Sequence, residues 1–191
     1  PPGVPFDITK LGHIVLNCRD LDRSVRFYTE VLGLEVSDVY PESMVPGGMV
    51  FMRFNADHHG VALVGSMDAP SPNFELNHVA FEVQTLDEVV RARNHLKREG
   101  VVIDFEGRRR AGSQIAVEFR DPDGHRLEIF WGVDVVRKPD DIRPEAHWKL
   151  ERSLESAIAY PVPGQDTTLK DPSVLQEKVE AAPTRSAGGK S

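Results

Sequence analysis

A chain of 191 residues with 40 % hydrophobic content suits one domain with extensions, or two very small domains. Asp and Glu number 30 against 23 Lys and Arg, a formal charge of −7, which argues against a nucleic-acid partner because such proteins are normally basic. No apolar stretch approaches the roughly 20 residues of a membrane-spanning helix, Pro1-Pro2-Gly3-Val4-Pro5 carries no signal-peptide pattern, and the single Cys18 excludes an internal disulfide; together these predict a cytoplasmic protein that engages neither membrane nor nucleic acid.

In chain order, residues 1–10 read as a proline-rich lead-in and 11–18 as a strand. A helix is predicted over 20–32, with Val25, Tyr28, Val31 and Leu32 on one face and Gly33 as its stop. Strands follow near 34–40, 48–55 and 58–65, punctuated by Pro46-Gly47-Gly48 and Asn55-Ala56-Asp57. Residues 66–75 form a link. The plan then repeats: a strand over 76–84, a helix begun by Thr85 with Glu88 at capping-box spacing, and strands near 101–106, 114–120 and 125–132. Asp121-Pro122-Asp123-Gly124 suits the last reversal. Each unit is βαβββ, and neither can bury its sheet face alone. The fold class is therefore α+β: two paired βαβββ modules, 11–65 and 76–133, form one domain with a curved mixed sheet around a metal site. Beyond it, 137–163 reads as a docking extension with one amphipathic helix over 144–158, and 164–191 as a flexible tail.

The repeat is the most informative feature. Leu11-Gly12-His13-Ile14-Val15 recurs as Leu76-Asn77-His78-Val79-Ala80, and the same offset of 65 (78 − 13) relates Leu21 to Leu86, Asp22 to Asp87, Val25 to Val90 and Arg26 to Arg91. Self-similarity at a fixed period marks a duplicated supersecondary unit. Two related strands packed face to face bring His13 and His78 towards the pseudo-symmetry axis. Glu128 lies between apolar neighbours in Arg126-Leu127-Glu128-Ile129-Phe130, so it points opposite to Leu127 and Ile129. An inward carboxylate on a central strand is costly unless it is paired or bound to a cation. A lone strand histidine is ordinarily a core or surface residue. Two at equivalent repeat positions, with that glutamate, make the donor set of a facial triad with open coordination positions, typical of non-haem Fe(II).

Residues 9–133 resemble the vicinal oxygen chelate superfamily, which includes glyoxalase I, fosfomycin-resistance enzymes, bleomycin-binding proteins and extradiol dioxygenases. The resemblance rests on Gly12-His13-Ile14 with Phe27-Tyr28-Thr29-Glu30-Val31-Leu32-Gly33, on Asn77-His78-Val79-Ala80-Phe81, and on Asp121-Pro122-Asp123-Gly124-His125-Arg126-Leu127-Glu128. It implies a metal held by His13, His78 and Glu128 and a small-molecule substrate that chelates it. Glyoxalase I takes a fourth ligand from the unit-one strand that corresponds to Glu128; here the counterpart is Ala62 or Leu63, and 60–64 holds no acid. Three ligands leave room for a bidentate substrate and O2. In extradiol dioxygenases a His-His-x-x-Ala segment supplies an acid/base histidine, and the similar His58-His59-Gly60-Val61-Ala62 makes His59 the catalytic candidate. Those enzymes usually carry a second histidine about a dozen residues before the Asp-Pro turn and a tyrosine four before its proline; here the places hold Arg110 or Ala111, and Glu118. Arg110, Ser113 and Glu118 form the candidate substrate-binding set, with Arg109 as a further candidate for an anionic group.

The resemblance therefore implies an Fe(II)-dependent extradiol-type dioxygenase acting on a catechol-like diol with O2, with Mn(II) or another divalent cation as the alternative metal. The alternatives are another metal-dependent member (an isomerase, lyase or transferase) and a non-catalytic ligand-binding member. Homo-oligomerisation is expected, because family members often associate and 144–163 offers apolar surface.

Overall fold

Strand β1 (Ile14–Cys18) begins one residue after His13, and strand β5 (Val79–Glu82) one residue after His78. The structure, a computed structural model, describes residues 10–66, 68–69 and 76–177, so most of the link lies outside the described residues. It divides into two units, Pro1–Pro72 and Asn73–Ser191. The architecture is α+β: each unit holds a four-stranded mixed sheet with a helix, and a C-terminal helix belongs to the second. No helix among the described residues is long and apolar enough to cross a membrane.

In unit one, α1 (Leu21–Arg26) is capped by Asp20, whose side chain accepts from the Arg23 N–H at 2.9 Å. The helix then widens into a π turn over Phe27–Val31, where the Leu32 N–H reaches Phe27 O at 3.2 Å. It stops before Gly33, at φ 74°, a conformation glycine adopts without a Cβ clash. The predicted helix over 20–32 is thus part α, part π, and the wide turn carries the buried Phe27 and Tyr28. Strands β2 (Glu35–Tyr40), β3 (Met49–Arg53) and β4 (Val61–Gly65) complete the sheet in the order β1-β4-β3-β2. The β1–β4 pair is parallel and the others antiparallel. Cys18 is buried, with Leu16, Met52, Val61 and Leu63.

Unit two repeats the plan with α2 (Leu86–Arg98), β6 (Ile103–Arg108), β7 (Ile115–Arg120) and β8 (Arg126–Trp131), in the order β5-β8-β7-β6. The capping box forms: the Glu88 N–H donates to Thr85 Oγ1 at 3.3 Å, and the Thr85 N–H to Glu88 Oε2 at 2.8 Å. Leu86, Val89, Val90 and Leu96 of α2 are buried, each worth about 1.5–3 kcal/mol. At the β7–β8 turn, Asp121 Oδ1 accepts from the N–H groups of Asp123 and His125, both at 2.9 Å. The two registers correspond. Ile14 pairs with Val61 as Val79 pairs with Leu127, and Val15 with Ala62 as Ala80 with Glu128. The last strands are offset by 66 (127 − 61), one more than the first strands, so the counterpart of Glu128 is Ala62, not Leu63. A bulge also recurs, between Val36 and Asp38 in unit one and between Ile103 and Phe105 in unit two.

The C-terminal extension departs from expectation. There is no single helix over 144–158: residues 145–147 make one 3-10 turn, and α3 spans only Leu154–Ala159. Glu151 is held extended by paired backbone bonds with Arg108, at 3.0 and 3.1 Å, and Ser153 caps α3 by accepting from the Ser156 N–H. Sheet pairing at 151 therefore overrides helical periodicity. The side chain of Arg108 is fully buried and donates to Gln165 Oε1, Ala157 O and Tyr160 O, tying the extension to β6. Desolvation lowers its pKa, partly offset by Glu151. The predicted flexible tail is corrected over 164–177. Buried Asp87 of α2 accepts from the N–H groups of Lys170 and Asp171, Asn94 donates to Val174 O, and Leu169 and Val174 are buried. Residues 178–191 lie outside the described residues.

Candidate metal and catalytic site

Unit two contributes a carboxylate and an imidazole. Glu128 sits on β8, between Ala80 of β5 and Glu118 of β7. It is 1 % exposed. Its neighbour Leu127 is also buried, so alternation sends the two side chains to opposite faces, both covered. Burial pushes the Glu128 carboxyl above its ordinary pKa and outweighs the lowering by a hydrogen bond from Gln114 Nε2 and by His78; Glu118 raises it further. The Gln114 bond, to Oε1, is 2.8 Å long. Oε2 faces His78 Nε2 at 3.6 Å. The other ring nitrogen, Nδ1, is 2.8 Å from Asn77 Oδ1. A carbonyl oxygen only accepts, so Nδ1 carries a proton, and Nε2, the nitrogen beside the carboxyl, is the one left for a ligand. That is the arrangement a ligating histidine needs.

Unit one contributes three imidazoles. Parallel pairing of β1 with β4, and the bond from the Ile14 N–H to Gly60 O at 3.0 Å, set His13 beside His59. Their ring centroids are 4.5 Å apart. His59 Nδ1 lies 3.0 Å from His58 Nδ1, and His58 Nε2 lies 2.8 Å from Asp38 Oδ2. Phe51 presents an edge-on contact to His59 at 5.1 Å and is itself flanked by Tyr40 at 4.8 Å. The His59 pKa is lowered, first by partial desolvation and then by the charged forms of His13 and His58, which favours a neutral ring at neutral pH.

A duplicated βαβββ plan with a histidine at each start and a buried acid on one last strand is a family-level pattern. The Glyoxalase/Bleomycin resistance protein/Dioxygenase superfamily matches residues 10–129. The chain belongs to this superfamily. It is 31 % identical over 129 residues to the biphenyl-2,3-diol 1,2-dioxygenase of Paraburkholderia xenovorans (strain LB400), covering 66 % of this chain and 42 % of that protein. It is 28 % identical over 137 residues to the manganese-dependent 2,3-dihydroxybiphenyl 1,2-dioxygenase of Geobacillus genomosp. 3, covering 70 % and 40 %. It is also 30 % identical over 140 residues to glyoxylase I 4 of Arabidopsis thaliana, covering 66 % and 73 %. A solved glyoxalase/dioxygenase from Nostoc punctiforme aligns with a TM-score of 0.54 at 24 % identity, covering 68 % of this chain and 94 % of that one. The chain spans about two-fifths of the length of the two dioxygenases.

Within this superfamily member, the residues singled out from sequence fall into two local groups, His13 with His59 in unit one and His78 with Glu128 in unit two. Among the described residues, neither unit gathers three His, Cys, Asp or Glu side chains into a group that could hold a metal ion. The candidate substrate-binding residues all lie in unit two. Ser113 is fully buried, at φ 54°, and its carbonyl accepts from Gln165 Nε2 at 2.8 Å. Glu118 is engaged by Arg109, whose Nε donates to it at 2.7 Å and whose guanidinium lies 3.7 Å over the Phe105 ring. Arg110 is exposed. Sequence reasoning missed Asp38, Asn77 and Gln114. Asn77 is adjacent to a candidate ligand and was open to inspection; Asp38 and Gln114 act across strands, with no signal at any fixed spacing.

Proposed function

We propose that this chain is an Fe(II)-dependent dioxygenase of the extradiol type, opening a catechol-like ring with O2, with His13, His78 and Glu128 as metal ligands and His59 as the acid–base residue. The observation that carries the reading is the pair His78–Glu128, an imidazole nitrogen 3.6 Å from a carboxyl oxygen on a buried side chain. Two electron-rich groups so placed repel each other unless a proton or a cation lies between them. Two imidazoles and one carboxylate are the donor set suited to non-haem Fe(II), with Mn(II) or another divalent cation as alternatives. Ala62 at the counterpart of Glu128 offers no fourth ligand.

His13, His78 and Glu128 would hold a divalent cation, which would supply a Lewis-acid centre that lowers the pKa of substrate hydroxyls. His59, kept neutral, takes a proton from a substrate hydroxyl and returns it as the ring opens. The diol and O2 combine, the carbon–carbon bond beside the diol breaks, and both oxygen atoms end in the product. Arg109 and exposed Arg110 supply cationic groups for an anionic substituent, tested by changing each to Ala and measuring ligand affinity; unchanged affinity removes the role.

The test is to load the full chain with Fe(II) without oxygen, add a panel of catechol, 3-methylcatechol and 2,3-dihydroxybiphenyl, and admit air. A yellow ring-fission product with matching oxygen uptake is expected. No product and no uptake across the panel overturns the reading. A second reading has a specific observation in its favour: the Arg109–Glu118 ion pair stands where extradiol enzymes usually carry a tyrosine. It is a metal-dependent isomerase, lyase or transferase, marked by turnover with Mn(II), Ni(II) or Zn(II) and no oxygen uptake. Tight ligand binding without metal or turnover marks a binding protein instead. Self-association through exposed Ile142, Trp148 and Tyr160 of the extension belongs to the same proposal; a monomer mass by light scattering removes it.

A further inference from the structure

Asp38, His58 and His59 admit one neutral hydrogen-bonding arrangement. An ionised carboxylate only accepts, so at 2.8 Å from Asp38 Oδ2 the proton of His58 resides on Nε2. A neutral imidazole has one N–H, which leaves His58 Nδ1 with a lone pair. That nitrogen is 3.0 Å from His59 Nδ1, and one of the two must donate. Only His59 has a proton left to give. His59 therefore donates from Nδ1 and keeps its lone pair on Nε2. We propose that Asp38 and His58 are positioning residues that fix His59 as the Nδ1–H tautomer and so make Nε2 its basic nitrogen.

The fold is built to hold this chain of bonds. The bulge between Val36 and Asp38 shifts β2 by one residue and sets Asp38 across from Phe51. A strand residue displaced by one would face the other side of the sheet. Phe51 in turn packs against both rings, at 5.1 Å from His59 and 6.1 Å from His58, and restrains their rotation. In unit two the same bulge position holds Phe105, which carries the Arg109 guanidinium, so the relay is particular to unit one. The consequence is chemical. Free neutral histidine favours the Nε2–H form, in which Nε2 cannot take a proton. The relay reverses that preference. Its catalytic meaning rests on the reading of His59 as the acid–base residue.

The tautomer can be read directly. Full-length protein is labelled with nitrogen-15 in its histidines and examined at a pH about two units above the ordinary imidazole pKa of about 6.5, first without metal and again with diamagnetic Zn(II). The His59 signals are identified by their loss in His59→Gln. A protonated Nδ1 and an unprotonated Nε2 are expected in the wild type. In Asp38→Ala the Nδ1–H to Nε2–H ratio should fall roughly two- to fivefold, the scale of an exposed ion-paired contact, and Asp38→Glu should restore it. A wild-type His59 protonated on Nε2, or a tautomer unchanged in Asp38→Ala, overturns the proposal. Turnover of His59→Ala separates it from the functional reading. Undiminished turnover beside the expected tautomer defeats only the acid–base role. Lost turnover beside an Nε2–H tautomer defeats only the relay.

Discussion

Glu118 of β7 and Glu128 of β8 are paired directly across neighbouring strands, and Arg109 covers the first while Gln114 covers the second. Like charges opposite one another are destabilising, more so when one is buried. Arg109 therefore does two things: it neutralises Glu118, and it lowers the cost of ionising Glu128. Replacing Arg109 by Met leaves Glu118 uncompensated beside the candidate ligand. Divalent-metal affinity should fall about tenfold or more, the scale typical of a lost outer-shell contact, and the double change Arg109→Met with Glu118→Gln should recover part of it. Calorimetric titration with Mn(II) measures both; equal affinity in all three proteins would falsify the coupling.

The raised pKa of Glu128 also sets a stability trend in the metal-free protein. The carboxyl titrates higher folded than unfolded, so the folded state holds the proton more tightly. That contribution is fully present below the ordinary glutamate range and is lost as pH rises through the raised folded value. Metal-free Glu128→Gln keeps the shape, cannot ionise, and escapes the loss. It should be more stable than the wild type at neutral pH, on the order of 1 kcal/mol, and the difference should vanish in acid. Denaturant unfolding at neutral and acid pH checks this, with the opposite order expected once metal is added.

His59 carries the sharpest functional expectation. Its place beside His13, with a lowered pKa, suits a proton carrier that stays neutral at working pH. His59→Ala should reduce kcat about 10²–10⁴-fold and leave metal content unchanged, because the proposed metal set does not include it. Metal analysis with steady-state rates decides; loss of metal together with rate would make His59 a ligand.

Much of this was open to reading in the chain itself, for local reasons. The repeat of Gly12-His13-Ile14 and Asn77-His78-Val79, the Thr85 cap and the Asp121 turn are all signals carried within a few residues. The failures are non-local. The bulge that sets Asp38 opposite Phe51 shifts a register that alternation alone cannot count. The amphipathic pattern over 144–158 is real, yet Glu151 pairs with Arg108 as a strand does. The polar stretch near 170 is ordered because Asp87 and Asn94 await its backbone on a helix 80 residues earlier (174 − 94).

Gly107 supplies the clearest structural test of how the extension is held. It sits at φ 135°, and a Cβ there would lie 2.1 Å from Glu151 O and 2.8 Å from Glu151 C. These are rigid backbone atoms, so neither can swing aside. They belong to the residue whose two backbone bonds with Arg108 pin the extension to β6. Gly107→Ala must therefore strain the backbone or push Glu151 away, which breaks those bonds and loosens the bonds from the Arg108 guanidinium to Ala157 O and Tyr160 O. A cost of about 2 kcal/mol or more is expected from strain and lost bonds combined, read as a lower midpoint in denaturant. Limited proteolysis should cut within 137–153 in the variant and spare it in the wild type. A variant of unchanged stability and protection would mean that Arg108 alone, through its guanidinium, holds the extension in place.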